Sequence, residues 1–451
     1  MLRGLFLPAG YPNTVSPDYL RYQILNAFQA FCSSLAGLLA SRAVLEGHGV
    51  GNADASATDA LLLTVLQDVF SRLVTIISAY YLGTSLFPEA KTYRLLADIL
   101  NDIALVLDSL SPHLSTFALE LTYTTHFPFL SYTLARRPGP FRAIALCLSG
   151  AFRALCGVVA GGSKAALTLH FAQPPTGKGT GDVGDLSAKD GSKETVLALL
   201  GMLCGSALMP YVTDTQTTYG LLALLVCAHI LLNYAAVRGV VLRSLNRQRA
   251  GLLWRTYRLG GLPYAVPRRL AALERIFASP SVLLHSNSRN REVAGHCYVG
   301  SPLSAILPAH GHSSAPQARW ATESTPETLL DLFDLFSSAN YVVWFGATPS
   351  PSPELHVVLK DGHGVQDHLK AWVLATELAS LAEVANGHAD RSLEELMDAL
   401  QQAMLAVDEL FPQFLQGMRE AGWDLDAAAG GFVTGLPTTV HIEHGEDRKS
   451  R

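Results

Sequence analysis

TVLALLGMLCGSALMPYVTDTQTTYGLLALLVCAHILLNYAAV occupies residues 195–237 and carries a single charged residue, Asp214. Residues 195–213 and 215–237 hold no Asp, Glu, Lys or Arg, and a helix crossing hydrocarbon needs about 20 predominantly apolar residues. The stretch therefore predicts two membrane-spanning helices that turn at Asp214. Residues 24–41 are likewise uncharged. The whole chain agrees with this leaning. Of its 451 residues 49% are hydrophobic and only 16% charged, against about 25% charged in a typical soluble domain. Mean hydropathy is positive at +0.24. A net charge of −5 supplies no basic field for nucleic acid.

Working outward, the chain divides by composition. Up to about Asn246 it is apolar and predicts long helices over 20–46, 57–86, 89–110, 114–135, 142–170, 194–213 and 216–246. Charges such as Asp68, Arg72, Arg153 and Lys164 fit a membrane only if they face a bundle interior or a cavity. Nine arginines and one acid between Arg238 and Arg275 mark a cytoplasm- or matrix-facing side. The basic RRPGPFR at 136–142 shares that side if helix 142–170 lies in the membrane interface, which is the arrangement expected. From about Pro280 the chain reads as α+β. Strands are expected at 294–300, 341–345 and 354–360, and helices at 325–336, 364–386 and 392–421, with Thr325 and Ser392 as caps.

The first half repeats itself. ASRAVL (40–45) matches GSKAAL (162–167), DASATD (54–59) matches DLSAKD (185–190), and ADILND (97–102) begins like AHILLN (228–233), in the same order. This predicts two copies of a three-helix unit, at about 20–111 and 142–246. Both polar strips fit the S/T-x-x-D form of a helix cap. Their exposed N–H groups also suit a polar or anionic ligand. The candidate ligand residues are Asp54, Ser56, Asp59, Asp185, Ser187, Lys189, Asp190 and Lys193, and convergence of the two strips on one site is expected. Arg21, Arg42, Asp98 and Asp102 are candidate polar anchors inside the bundle.

Other motifs carry less. GHGVGN (47–52) follows no strand, and TGKGTGD (176–182) lacks the Walker spacing. The six cysteines form no CxxC pair, so neither a disulfide framework nor a zinc site is expected. His310, His312, His363 and His368 show no ligand spacing. No catalytic constellation is visible, so the expectation is a non-enzyme with no cofactor and no metal. No signal or transit peptide is recognised at the N-terminus, and the organelle is left open.

Several long motifs together resemble one family. FLPAGYPNTVSPDYLRYQ, CSSLAGLLASRAVLEGHGVGNADASAT, RLLADILNDIA, GGSKAALTLH, LSAKDGSKET and LNYAAVRGVVLRSLN are similar to the root UVB-sensitive (RUS) family over residues 6–250. NYVVWF, LHVVLKDG and LKAWVLATEL resemble its C-terminal domain. The chain departs from the family near Leu25–Asn26, where a Trp-Asp pair is usual, near Lys193, where a Gln is usual, and in the Gly-rich insertion before Asp185. The resemblance implies a membrane-associated protein, linked in plants to plastids and to root responses to UV-B, with no established catalytic residues. The expected fold is mainly α. It comprises a helical membrane-associated bundle (6–250), an Arg-rich linker (251–279), a smaller α+β C-terminal domain (280–440) and a disordered tail (441–451). Two functions follow as expectations: binding or transport of a small polar or anionic solute, or a membrane-anchored scaffold acting through the C-terminal domain. The expected partners are the lipid bilayer, a small polar ligand, and another RUS-family protein or a second copy of the chain.

Overall fold

The protein is described by a computed structural model that covers Gly4, residues 6–50, 57–116, 140–174, 181–261, 265–286, 292–308, 316–383, 390–425, Phe432 and 437–441. The chain forms two compact units, one of residues 1–86 and 90–240, the other of 87–89 and 241–451. The division falls at Val240. The expected linker is instead largely structured. Residues 247–258 form a helix whose Trp254 is fully buried in the second unit's core.

Among the described residues, six long helices build the first unit: α1 (Tyr19–Gly47), α2 (Ala57–Leu82), α3 (Ala90–Leu110), α4 (Pro140–Phe171), α5 (Val183–Leu208) and α6 (Thr215–Arg238). The expected helix at 114–135 lies almost wholly outside the described residues. Among the described residues, five segments are long and apolar enough to cross a membrane, and they correspond to α1, α2, α4, α5 and α6. The α2 surface shows why water does not suit this unit. Leu61, Val65, Phe70, Leu73, Ile76 and Ile77 are all exposed, forming the contiguous apolar face that marks a membrane or partner surface.

Directions follow from the contacts. Along α1 and α5, Tyr19 meets Asp190, Asn26 meets Glu194, and Gly201 abuts Phe31 and Ser34, so the two run parallel. Gly150 abuts Gln67 and Ser71, while Gly162 abuts Leu86, so α2 and α4 are also parallel. Arg94 with Tyr22, and Asn101 with Ser33, set α3 parallel to α1. Ala97 packs with Val159 and Ser149 bonds the Ala104 carbonyl, so α4 opposes α3. Tyr219 with the Ser109 carbonyl, and His229 with Asp102, set α6 antiparallel to α3. Hence α1, α3 and α5 point one way, and α2, α4 and α6 the other. Helix α4 was expected to lie flat in the interface. It packs lengthwise along α2 and α3 instead, because its glycines permit close approach there.

In the second unit helices α7 (Arg247–Arg258) and α8 (Pro267–Leu273) precede β1 (Val282–Leu284) and β2 (Val293–Val299). Then follow α9 (Arg319–Glu323), α10 (Pro326–Leu335), β3 (Tyr341–Phe345), β4 (Glu354–Lys360), α11 (Val365–Glu383), α12 (Leu393–Glu420) and β5 (Thr439–Val440). The sheet order is β1-β2-β4-β3, with β5 also on β4; β2 and β5 lie parallel to β4, and β3 antiparallel. Strand β3, YVVWF, is buried at every position, as an unbroken apolar run requires. Both capping expectations hold, though Thr325 reciprocates with Thr328 while Ser392 does so with Glu395. Trp254 donates to Glu377 at 2.6 Å, which tethers α7 to α11 in the core.

Candidate functional site

Helix α1 places Asn26, Gln29 and Ser33 on one face, at the spacing that stacks side chains along a helix. That face looks into a cavity of about 780 Å³ between α1, α3, α4, α5 and α6, within the range of about 300–1,000 Å³ for small-molecule sites. Its wall is charged. Arg94 donates to Asp98 at 2.8 Å, to the side-chain Oδ1 of Asn26 at 3.1 Å and to Tyr22 Oη at 3.2 Å. The Asn26 amide in turn donates to Glu194 at 2.9 Å, and Lys164 pairs with the other Glu194 oxygen at 2.7 Å. One network thus crosses the cavity from α3 through α1 to α5 and α4. Arg153 lines it too and pairs with the buried Asp108.

Behind the wall lies a second tier. Asp98 accepts from the Gln29 and Asn233 amides, and Asp102 faces His229 Nδ1 at 2.8 Å. Gln29, Asp98, Asp102, His229 and Asn233 are all buried. Charged groups in such a place persist only when paired or hydrogen-bonded. The arrangement offers both cations and carboxylates to a small polar molecule inside an apolar shell. Among the described residues no cluster of three His, Cys, Asp or Glu side chains is placed to hold a metal ion.

The residues read from sequence fare unevenly. Asp98 and Asp102 are buried in the bundle as expected. Arg42 is half-buried, paired with Glu46 at 2.8 Å and donating to the Val212 carbonyl at 2.6 Å. Arg21 is exposed and does not anchor the interior, because its position on α1 faces outward. The strip 185–195 does not precede its helix. Helix α5 begins at Val183, and Asp182 caps it by accepting from the backbone of Gly184 and Asp185. Ser187 is therefore an exposed residue within the helix and not its cap.

The rest of the strip ties the N-terminal segment to α5. Ala9 N–H donates to Asp185 at 2.8 Å, Lys189 donates to the Gly4 carbonyl at 2.6 Å, and Tyr19 donates to Asp190 at 2.8 Å. Lys193 reaches both Asp190, at 2.8 Å, and Tyr19 Oη, at 2.7 Å. Asp54 and Ser56 lie outside the described residues, as do the side chain of Asp59 and both His310 and His312. The start of α5 sits at the Tyr19 end of α1, and the start of α2 at the Gly47 end. A helix of 29 residues spans roughly 43 Å, so Lys189 and Asp190 stand at the far end of α1 from Ala57.

Sequence reading missed Asn26, Gln29, Arg94, Glu194 and His229, whereas Arg153 and Lys164 were singled out as charges that need an interior or a cavity and both line this one. The signal was present as Asn26, Gln29, Ser33 and Ser34 on one side of the uncharged stretch 24–41.

Comparison with known proteins completes the description of the site. Residues 1–260 match the family described as "Vitamin B6 photo-protection and homoeostasis domain", and residues 331–429 match "Root UVB sensitive protein, C-terminal". "RUS family member 1" of Dictyostelium discoideum is 34% identical over 62% of this chain and 48% of its own length, so this chain spans about half of that relative. "Protein root UVB sensitive 3" of Arabidopsis thaliana is 26% identical over 95% of this chain and 84% of its own length. "Protein root UVB sensitive 2, chloroplastic" of the same plant is 22% identical over 95% and 83%. No solved structure matches. The first match takes in every wall residue of the cavity and the second reaches into the sheet unit, so the chain belongs to the root UVB-sensitive family.

Proposed function

We propose that the helical unit is embedded in a membrane and binds or moves a small polar or anionic solute in the cavity. The observation that carries this reading is the charged wall of Arg94, Lys164, Arg153, Asp98 and Glu194 inside a bundle whose outer surface is apolar. Such groups are costly at membrane depth and mark solute or ion pathways there.

The packing supports the same reading. Helix α1 packs on α5 and α6, while α4 packs on α2 and α3. Taken as copies, α1–α3 and α4–α6 therefore exchange partners and run in opposite senses. The exchange extends to single residues. Asp98 bonds Asn233, and Asp102 bonds His229. Asp98 and Asp102 hold the second and sixth places of ADILND, and His229 and Asn233 the same places of AHILLN. Each second-place residue thus meets a sixth-place residue, as a two-fold axis between inverted copies requires. In inverted-repeat transporters the ligand sits at the repeat interface near mid-membrane, and residues from both proposed copies line this cavity.

The matched family description names vitamin B6, whose vitamers are small, polar and ionisable, and whose phosphorylated forms are anions. They are the first solutes to test. Purified full-length protein is expected to melt at higher temperature with pyridoxine or pyridoxal 5′-phosphate, and to lose that shift in Lys164→Gln. No shift with any vitamer, nor with a panel of small carboxylates and phosphates, would sink the solute reading and favour a scaffold acting through the second unit.

A further inference from the structure

The buried charges behind the cavity do not balance. Arg94 compensates Asp98, at 2.8 Å. Asp102, 3% exposed, faces only an imidazole. His229 Nε2 lies 3.2 Å from Gln29 Nε2, and that amide nitrogen donates to Asp98. An amide nitrogen cannot accept, so Nε2 must accept from it and Nδ1–H must donate to Asp102. The imidazole is then neutral and the Asp102 charge is uncompensated. Three buried oxygens of this tier lack a partner: Asp102 Oδ1, Gln29 Oε1 and Asn233 Oδ1. An uncompensated carboxylate at such depth costs several kcal/mol, so the tier is built to receive one positive charge.

We propose that this charge is a proton taken by His229 against Asp102, and that the pair couples proton movement to the solute movement proposed above, on which the coupling rests. The proton passes from the aqueous cavity to His229 Nε2, where only an N–H bond forms. The new donor opposes the Gln29 amide nitrogen. The amide then turns to present its unpartnered Oε1, which withdraws its N–H from Asp98. Asp98 lines the cavity, so the protonation state of His229 is felt where a solute binds. Asp98, with its partner Arg94, stands beside Asp102 on α3. Arg153, Cys156, Lys164 and Glu194 face the pair across the cavity.

Two measurements on the full-length protein test this. The first uses a pH-indicator dye to count protons taken up by solubilised protein between about pH 8 and about pH 5, where histidine titrates. Asp102→Asn is expected to take up about one proton fewer per chain than wild type, and an equal count overturns the proton site. The second follows labelled pyridoxine in proteoliposomes. An inside-alkaline gradient is expected to accelerate wild-type uptake several-fold. In Asp102→Asn the rate with the gradient should equal that variant's own rate without it. Wild type that exchanges solute but ignores the pH gradient overturns the coupling and leaves the solute reading intact. Acceleration by a sodium gradient in place of the proton gradient overturns it in favour of a metal cation. Absence of any exchange by wild type removes the coupling together with the solute reading, while the proton count still decides whether the site binds a proton.

Discussion

At the scale of the residue, Arg94 is the joint on which the cavity wall turns. It holds Asp98, Asn26 and Tyr22 at once. Removing one partner of a buried ion pair costs about 3–5 kcal/mol, because the other charge stays buried. Arg94→Met is thus expected to lower the thermal stability of purified protein sharply, and adding Asp98→Asn to recover most of the loss. A double variant no more stable than Arg94→Met alone would show that the guanidinium acts through Asn26 and Tyr22 and not through Asp98.

His368 of the second unit supports a different kind of prediction. Burial, with His363 at 2.7 Å, lowers its pKa from 6.5 to about 4. The folded state keeps it neutral down to about pH 4, while the unfolded chain takes a proton near pH 6.5. Between these values the unfolded state binds more protons. The contribution is therefore whole above about pH 6.5 and is lost as pH falls towards 4. All five tryptophans of the chain stand in the second unit, so their fluorescence follows its unfolding alone. Its midpoint should fall with acidification across that window in wild type and fall less in His368→Asn.

At the scale of the element, helix contact is set by glycine. A Cβ at Gly201 would stand 2.9 Å from the Phe31 carbonyl and 2.9 Å from Ser34 Cβ, whereas one at Gly220 meets nothing. Small residues let membrane helices approach closely. Gly201→Val should therefore push α5 off α1 and reduce folded yield and melting temperature, while Gly220→Val changes neither. Equal loss in both would point to helix propensity instead of packing.

The start of α5 shows how far local signals reach. Asp182, Ser187 and Ser192 all suit a cap, and Gly191 suits a break. Sequence alone does not rank them. The bonds from Tyr19 to Asp190 and from Asn26 to Glu194 hold residues 190–194 within the helix, so the first of the three becomes the cap. In the second unit the local signals suffice. Thr325 and Ser392 cap where expected, and β3 and β4 fall where strands were expected, β4 alternating only over its first half before Val357–Lys360 are all buried. Water enforces the polar–apolar pattern there, while around a cavity inside an apolar bundle the few polar residues are the signal.

At the scale of the whole molecule, the sequence pattern suggests two copies without giving their sense, and helices α1–α3 and α4–α6 run in opposite senses. Motif order alone does not distinguish parallel from inverted copies. The difference decides where the site lies, at the crossing of ADILND with AHILLN and not at the helix entrances. It also decides membrane orientation. One helix, α1, separates Asn13 from Val50 if it crosses, and the same helix directions place Arg142 beside Gly47 and Gly239 beside Arg21, at opposite ends of α1. Positive charge then does not set the orientation by itself, which counting Lys and Arg alone would have required. Single cysteines test this in a background with the native cysteines replaced by alanine. Asn13→Cys and Val50→Cys, both at exposed positions flanking α1, should react with a membrane-impermeant maleimide from opposite sides of sealed vesicles. Thr213→Cys, exposed between α5 and α6, should share the side of Val50→Cys. Labelling of Asn13→Cys and Val50→Cys from one side would mean that α1 does not cross, and the inverted arrangement would fall with it.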